Sequence, residues 1–298
     1  MNIFLALDPV CLSAIRLMTN RLGGTERFFF LLKKYLIKQG HKVTFNPLLA
    51  NNELYDVAIH SNVKNPDVTA KRHVCRAGSY HTDAEIEKYD LIITLSYYFA
   101  NYINKFNLKV IPVCYNSNLR KYITNSYTPQ TIISSANPNR YFKHFQQIKS
   151  KLDISSTKFN WIFCGGNKLY TRFFPETFKI DSKLKQKYLG ILPQEKLFKN
   201  LATAHLYCYP NFSDNSETFC VSVVEAAAIG LPVILPNRKP FTEILPDNPY
   251  FYKTTDDMVM ALEVLLQEKR ENLYKCNTEK YTEDLVLPEF EKTIMSLL

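Results

Sequence analysis

The sequence predicts an α/β protein made of two parallel-sheet domains. Short apolar runs bounded by turn residues alternate with stretches whose apolar residues recur at helical spacing, as strands and helices do in parallel sheets. The alternation pauses at a polar, turn-rich segment, CYNSNLRKYITNSYTPQ, and then restarts. The 298 residues, 46% hydrophobic and 13% aromatic, suffice for two cores of about 100 to 200 residues each. The expected division is therefore 1–124 and 125–298, with the last helix able to return to the first domain.

NIFLAL (2–7) is a short apolar run closed by Asp-Pro and predicts a buried strand. GGTERFFFLLKKYLIKQG predicts a helix with Thr25 as N-cap, Glu26 in the first turn and Gly40 just past the end. Phe28, Leu31, Leu32, Tyr35 and Leu36 form its apolar stripe, and Lys33, Lys34 and Lys38 take the other face. HKVTF completes a βαβ unit, right-handed by default. YDVAIH (55–60), RHVCRA (72–77), YDLIITLS (89–96) and LKVIPV (108–113) read as further strands, with SYYFANYINKF (96–106) as an intervening helix.

In the second half TIISSA (131–136) is a strand, RYFKHFQQIKSKL (140–152) a helix, FNWIFCGG (159–166) a strand ending in a glycine pair, and KYLGIL (187–192) another strand. PQEKLFKNLATA, HLYCYP, TFCVSVVEAAAIG and LPVILP continue as helix, strand, helix and strand. TTDDMVMALEVLLQEKREN closes the series as a long helix capped by Thr or Asp. Two sheets of similar size follow from this pattern.

A formal charge of +9 and a pI near 9.0 suit an anionic partner. No apolar run is long enough to span a membrane, and the start has no basic n-region, so export is not expected. Cys11, Cys75, Cys114, Cys164, Cys208, Cys220 and Cys276 are scattered and never spaced C-x-x-C, and the six histidines form no H-x-x-x-H. That spacing argues against zinc and disulfides and for reduced thiols in a cytoplasmic protein.

The stretch NFSDNSETFCVSVVEAAAIGLPVILPN carries the chemistry. In open α/β sheets ligands bind beyond the carboxyl ends of strands, where loops enter helix N-termini. Glu217 stands in the loop after HLYCYP, and the helix expected from near Thr218 would aim its N–H groups and positive end into the same space. Glu225 is expected about two turns down that helix, where its two oxygens can accept from a pair of vicinal hydroxyls. Ala226, Ala227 and Ala228 let the helix approach the sheet, and Gly230 ends it ahead of Pro232.

SETFCVSVVEAAAIGLPVI resembles the donor-binding signature of the family 4 glycosyltransferases, with Glu217, Phe219, Glu225, Ala226, Gly230, Pro232 and Val233 in place of its E-x7-E pattern. The resemblance implies the GT-B fold, two Rossmann-like domains facing across a cleft, and retaining transfer of a hexose from a nucleotide sugar, UDP-glucose or GDP-mannose foremost. It implies that Glu217 contacts the transferred sugar and Glu225 the ribose. The backbone around Phe219, Cys220 and Val221 would hold sugar and phosphate. GGTER resembles the glycine loop that brings Gly23 and Gly24 to the donor phosphates. GILPQEKLFKNLATAHLYCYP and KPFTEIL, with Glu243, extend the likeness.

Two positions depart from the family pattern. Of the two basic residues expected after TIISSA, Arg140 fits the second, whereas Ser135 stands at the first. The histidine of the first domain has three candidates, His73, Arg76 and His81, with His81 set beside Glu217 and Arg140 as catalytic. The resemblance implies no metal and no other cofactor, and no D-x-D loop is evident. The acceptor would be a glycan or a lipid-linked molecule, reached with peripheral contact to an anionic membrane. A nucleotide-sugar epimerase needs further acid/base groups and a phosphorylase a lysine for pyridoxal phosphate, neither evident in the sequence. A dehydrogenase needs G-x-G-x-x-G after NIFLAL. A basic binding module on a degenerate enzyme fold would show steep salt dependence without nucleotide-sugar affinity. Nucleic acid is not an expected partner, because the 37 Lys and Arg are spread over helices.

Overall fold

The computed structural model describes residues 1–7, 24–45, 53–61, 68–78, 86–103, 107–135, 148, 151, 159–165, 186–211 and 217–298. The chain forms two compact units, Met1–Ser117 with Lys280–Leu298, and Asn118–Glu279.

The first unit holds β1 (Asn2–Ala6), α1 (Gly24–Lys38), β2 (Lys42–Phe45), β3 (Tyr55–Ser61), β4 (Ala70–Ala77), β5 (Leu91–Thr94), α2 (Tyr97–Ala100) and β6 (Leu108–Val110). All six strands are parallel, in the order β2-β1-β3-β4-β5-β6. The chain steps outward from β1 to β2 and then crosses to the other side, so the order reverses between β1 and β3. Phe28, Phe29, Leu32 and Leu36 of α1 are buried. Helix α1 starts at Gly24, so Thr25 lies inside it and is not the N-cap. The expected helix over 96–106 is shortened: Ser96 caps α2 by accepting the Phe99 N–H (3.1 Å). Past Ala100 the bonds tighten, Tyr102 N–H to Phe99 O and Ile103 N–H to Ala100 O, as in a 3₁₀ turn.

The second unit holds β7 (Thr131–Ser134), β8 (Asn160–Phe163), β9 (Gln186–Tyr188), α3 (Gln194–Thr203), β10 (Leu206–Cys208), α4 (Val221–Ala228), β11 (Val233–Pro236), α5 (Phe241–Ile244), β12 (Phe251–Tyr252) and α6 (Thr255–Leu265). Its parallel order is β12-β11-β10-β7-β8-β9, reversing between β7 and β10. The β10 side chains alternate as a strand requires: Tyr207 reaches Ser222 of α4 (3.2 Å) and Cys208 meets Met258 of α6 (3.7 Å). The sheet is thus enclosed by a helix on each face. A capping box, Thr254 with Asp257, starts α6. The helix ends at Leu265 rather than running on to 272, and a 3₁₀ turn follows at Arg270–Asn272. Arg270 accounts for the break: its guanidinium turns inward to the carbonyls of Ala202 (2.6 Å), Ala204 (2.8 Å) and Thr124, over the Tyr127 ring. Most of the helix expected over 140–152 lies outside the described residues.

The chain then returns to the first unit as α7 (Glu283–Met295). Phe290 packs against Phe28 (5.4 Å between ring centres), and Glu291 accepts from the Tyr35 hydroxyl and pairs with His41, both at 2.7 Å. No helix among the described residues is long and apolar enough to cross a membrane.

Candidate functional site

In the second unit β7 and β10 flank the reversal of strand order, and their carboxyl ends open the crevice where parallel sheets take ligands. The side chains there form a network of two hydrogen-bonded sets, joined through the adjacent residues Cys208 and Tyr209. Ser134 at the end of β7 donates to Cys208 O (2.6 Å) and accepts from the Trp161 indole N–H (2.9 Å). Tyr252 donates to Tyr209 O (2.6 Å) and accepts the Asn211 N–H (3.1 Å). Burial pushes the Tyr252 phenol well above its ordinary pKa, so it keeps the proton it donates. Arg238 donates to Asn211 O (3.2 Å). The chain leaving β10 is therefore fixed at Tyr209 and Asn211 before it reaches Glu217.

Glu217 is 8% exposed and accepts a short hydrogen bond from the Tyr209 hydroxyl. Removing a carboxylate from water is costly unless hydrogen bonds replace the lost hydration, and Tyr209 supplies one. Helix α4 begins at Val221, later than Thr218, with Cys220 at its N-cap. Phe219 and Cys220 are buried, and the Cys220 thiol lies 3.4 Å from the Ser222 hydroxyl. Val223 and Val224 N–H both bond to Cys220 O (3.2 and 3.3 Å), while the amides of Val221 and Ser222 belong to the helix start, where N–H groups point outward. Glu225, 4% exposed, is the fifth residue of α4, just over one turn from its start rather than two. The arrangement presents two carboxylates and the positive end of a helix at one sheet edge, suited to a ligand with both hydroxyls and an anionic group.

At the C-terminus of α4, Gly230 has φ +87° and closes a Schellman motif: Leu231 N–H bonds to Ala226 O (3.1 Å) and Gly230 N–H to Ala227 O (2.9 Å). This turn leads straight into β11, so α4 runs between the adjacent strands β10 and β11.

Other expected residues are placed less closely. Gly23, His81 and Arg140 lie outside the described residues, and Gly24 is the first residue of α1. Arg76 and His73 are three positions apart on β4 and so face opposite sides of the sheet. His73 stacks against His60, with ring nitrogens 3.0 Å apart. Arg76 is 1% exposed under α1. Glu243 is on α5. Tyr209, Tyr252 and Arg238 were not singled out from sequence. For Arg238 a signal existed, a basic residue just past the strand LPVILP. For the tyrosines none did, because both read as core aromatics. Among the described residues no three His, Cys, Asp or Glu side chains come together as a metal would need.

Residues 128–281, just over half of the chain, match the family model of the glycosyl transferases group 1. The chain belongs to the group 1 glycosyl transferases. The match covers the whole of the network just described. Solved structures share the two-sheet fold of this group 1 glycosyl transferase. A glycosyltransferase from Rickettsia africae superposes with TM-score 0.71 at 12% identity, covering 99% of this chain and 98% of that one. HepE of Anabaena, solved with UDP and glucose, gives 0.66 at 12% identity over 99% and 100%. The lipopolysaccharide outer core galactosyltransferase WaaB gives 0.63 at 12% identity over 100% of both chains. At such identities the likeness is one of fold, the α/β GT-B arrangement with two parallel sheets. No curated protein matches the sequence.

Proposed function

We propose that this group 1 glycosyl transferase is a retaining, family 4 enzyme of the cytoplasm that moves a hexose from a nucleotide diphosphate sugar, UDP-glucose or GDP-mannose foremost, to a hydroxyl of a glycan or lipid-linked acceptor. The observation that carries the reading is the pair of buried carboxylates, Glu217 and Glu225, at the carboxyl edge of the second sheet beside the start of α4. A nucleotide sugar offers what that edge receives: vicinal ribose hydroxyls for Glu225, sugar hydroxyls for Glu217, and phosphates for the amides around Phe219, Cys220 and Val221. The UDP and glucose bound by HepE of Anabaena support a donor of this class.

In this reading the bond between the anomeric carbon and the diphosphate oxygen breaks while the acceptor oxygen bonds to the same face of the sugar. The acceptor proton passes to the departing phosphate. Negative charge grows on the diphosphate, where preorganised donors contribute most; Arg140, Gly23 and Gly24 are assigned to it, with the α4 amides, and His81 to the sugar. No resident metal or other cofactor enters the scheme. The surplus of basic residues suits a peripheral approach to an anionic membrane for a lipid-linked acceptor.

The test is the stereochemistry of turnover. Proton NMR of the newly formed anomeric signal, with an α-linked donor sugar, is expected to show an α product. A β product would exclude the retaining assignment, and no turnover with any nucleotide sugar would exclude transfer itself.

A further inference from the structure

The carboxyl edge of the first sheet holds a cation without an evident counterpart. Arg76 lies near the end of β4, 1% exposed, and its two terminal nitrogens meet no hydrogen-bond acceptor among the described residues. Its guanidinium sits over the Phe28 ring at 4.3 Å and near that of Phe29 at 5.9 Å, which places it beside the first turns of α1. In register its partner on β3 is Ser61, so the two side chains leave the sheet side by side on the α1 face. The Ser61 hydroxyl is also buried without a partner among the described residues. Strand β3 borders the reversal of strand order between β1 and β3, and β4 is the next strand.

The described neighbours do not neutralise this charge by hydrogen bonding. Among the described residues, the titratable groups that act on Arg76 are Cys114, Cys75 and Glu26. Burial pushes the Cys114 thiol up to about 12, so it is neutral at ordinary pH. Glu26 is buried in the first turn of α1 but takes no hydrogen bond from the terminal nitrogens of Arg76. Burial lowers Arg76 only to about 10, so it remains a cation. An unpaired buried charge beside the positive end of a fifteen-residue helix opposes folding. Aromatic faces offset part of that cost and supply no hydrogen-bond acceptor.

We infer that Arg76 and Ser61 form an anion-binding subsite that takes a phosphate or carboxylate group of the acceptor. This rests on the reading above, in which the donor's sugar and ribose are assigned to Glu217 and Glu225 of the second unit. Guanidinium binds such groups through a fork of two parallel N–H donors, and Ser61 adds a hydroxyl on the same side. The same anionic group could instead be the donor's diphosphate, and the experiment separates the two sources.

The full-length protein is titrated with inorganic phosphate, and separately with UDP and GDP, by calorimetry and thermal melting. The proteins compared are the wild type, Arg76→Met, Arg76→Lys, Ser61→Ala and Glu225→Ala. Phosphate is expected to bind the wild type also when the preferred nucleotide is saturating. Arg76→Met should weaken phosphate binding by about tenfold or more and Ser61→Ala by about threefold, with nucleotide affinity kept within about twofold. Arg76→Lys keeps the charge without the fork and should fall between wild type and Arg76→Met. Without phosphate Arg76→Met should melt above the wild type, because it removes an unpaired buried charge, and phosphate should no longer raise its melting temperature. A lower melting temperature with unchanged phosphate binding in Ser61→Ala and Arg76→Lys would make Arg76 a structural residue and overturn the inference, as would a wild type that binds no phosphate. Parallel loss of phosphate and nucleotide binding in Arg76→Met would assign the anion to the donor and overturn the acceptor site. Glu225→Ala is expected to lose nucleotide and keep phosphate; if it keeps both, the donor reading fails while the anion site stands.

Discussion

Tyr209 and Glu217 are eight residues apart, and they become partners only because Tyr252 and Arg238 fix the chain at Tyr209 and Asn211 just before the loop. The Tyr209 hydroxyl is thus a positioning group for the carboxylate assigned to the transferred sugar. Tyr209→Phe keeps the ring contact with Phe241 (5.0 Å) and deletes one hydrogen bond to a charged group, a change of about 1.5 to 3 kcal/mol. Turnover is expected to fall by about tenfold or more with nucleotide affinity unchanged, read as kcat against the calorimetric Kd. Equal loss in both would mean that the tyrosine shapes the whole pocket. The two glutamates were legible in the sequence because strand, loop and helix start fix where such residues stand. Their partners were not, because a tyrosine at a strand end gives no sign of which loop folds back onto it. Nor was the burial of Arg76 legible: both faces of a central strand are covered, and alternation does not say which polar side chain is trapped.

At the scale of elements, helix α4 is short, and its two ends set where Glu225 stands along it. Its C-terminal turn depends on Gly230 at φ +87°. A methyl group there would meet Ile123 and Lys275 only at 4.0 Å, so the cost of Gly230→Ala is backbone strain, about 1 to 2 kcal/mol. A lower denaturation midpoint with an unchanged slope is the expected result; no change in midpoint would show that the turn relaxes. The sequence foretold this end of α4 correctly because glycine before Leu-Pro carries its own backbone reason. It misplaced the start by about a turn, since the Cys220 side chain does not cap the N–H groups of α4 and leaves no signature. The early end of α6 was hidden for a related reason, because Arg270 serves distant carbonyls rather than its own helix.

At the scale of the molecule, both units bury thiols. Burial pushes Cys114 in the first unit and Cys164 and Cys276 in the second up to about 12 from an ordinary 9.0. Between those values the unfolded chain releases protons that the folded chain retains, so the unfolded state binds fewer protons and stability falls as pH rises. The contribution is full below about pH 9 and is lost progressively toward about pH 12. Urea melts across that range should show a falling midpoint, with a smaller fall in Cys164→Ala; a flat profile would mean that the thiols reach water in the fold. The alternation of strands and helices made the two sheets legible, and the reversals of strand order that locate the sites required the pairing itself. The most direct test of the account is calorimetric titration of UDP, GDP and their sugars into the wild type and Glu225→Ala without added metal. One nucleotide is expected to bind in the micromolar range, weakened by about tenfold or more in a folded Glu225→Ala protein. Equal binding by both proteins, or no binding of any nucleotide, would contradict it.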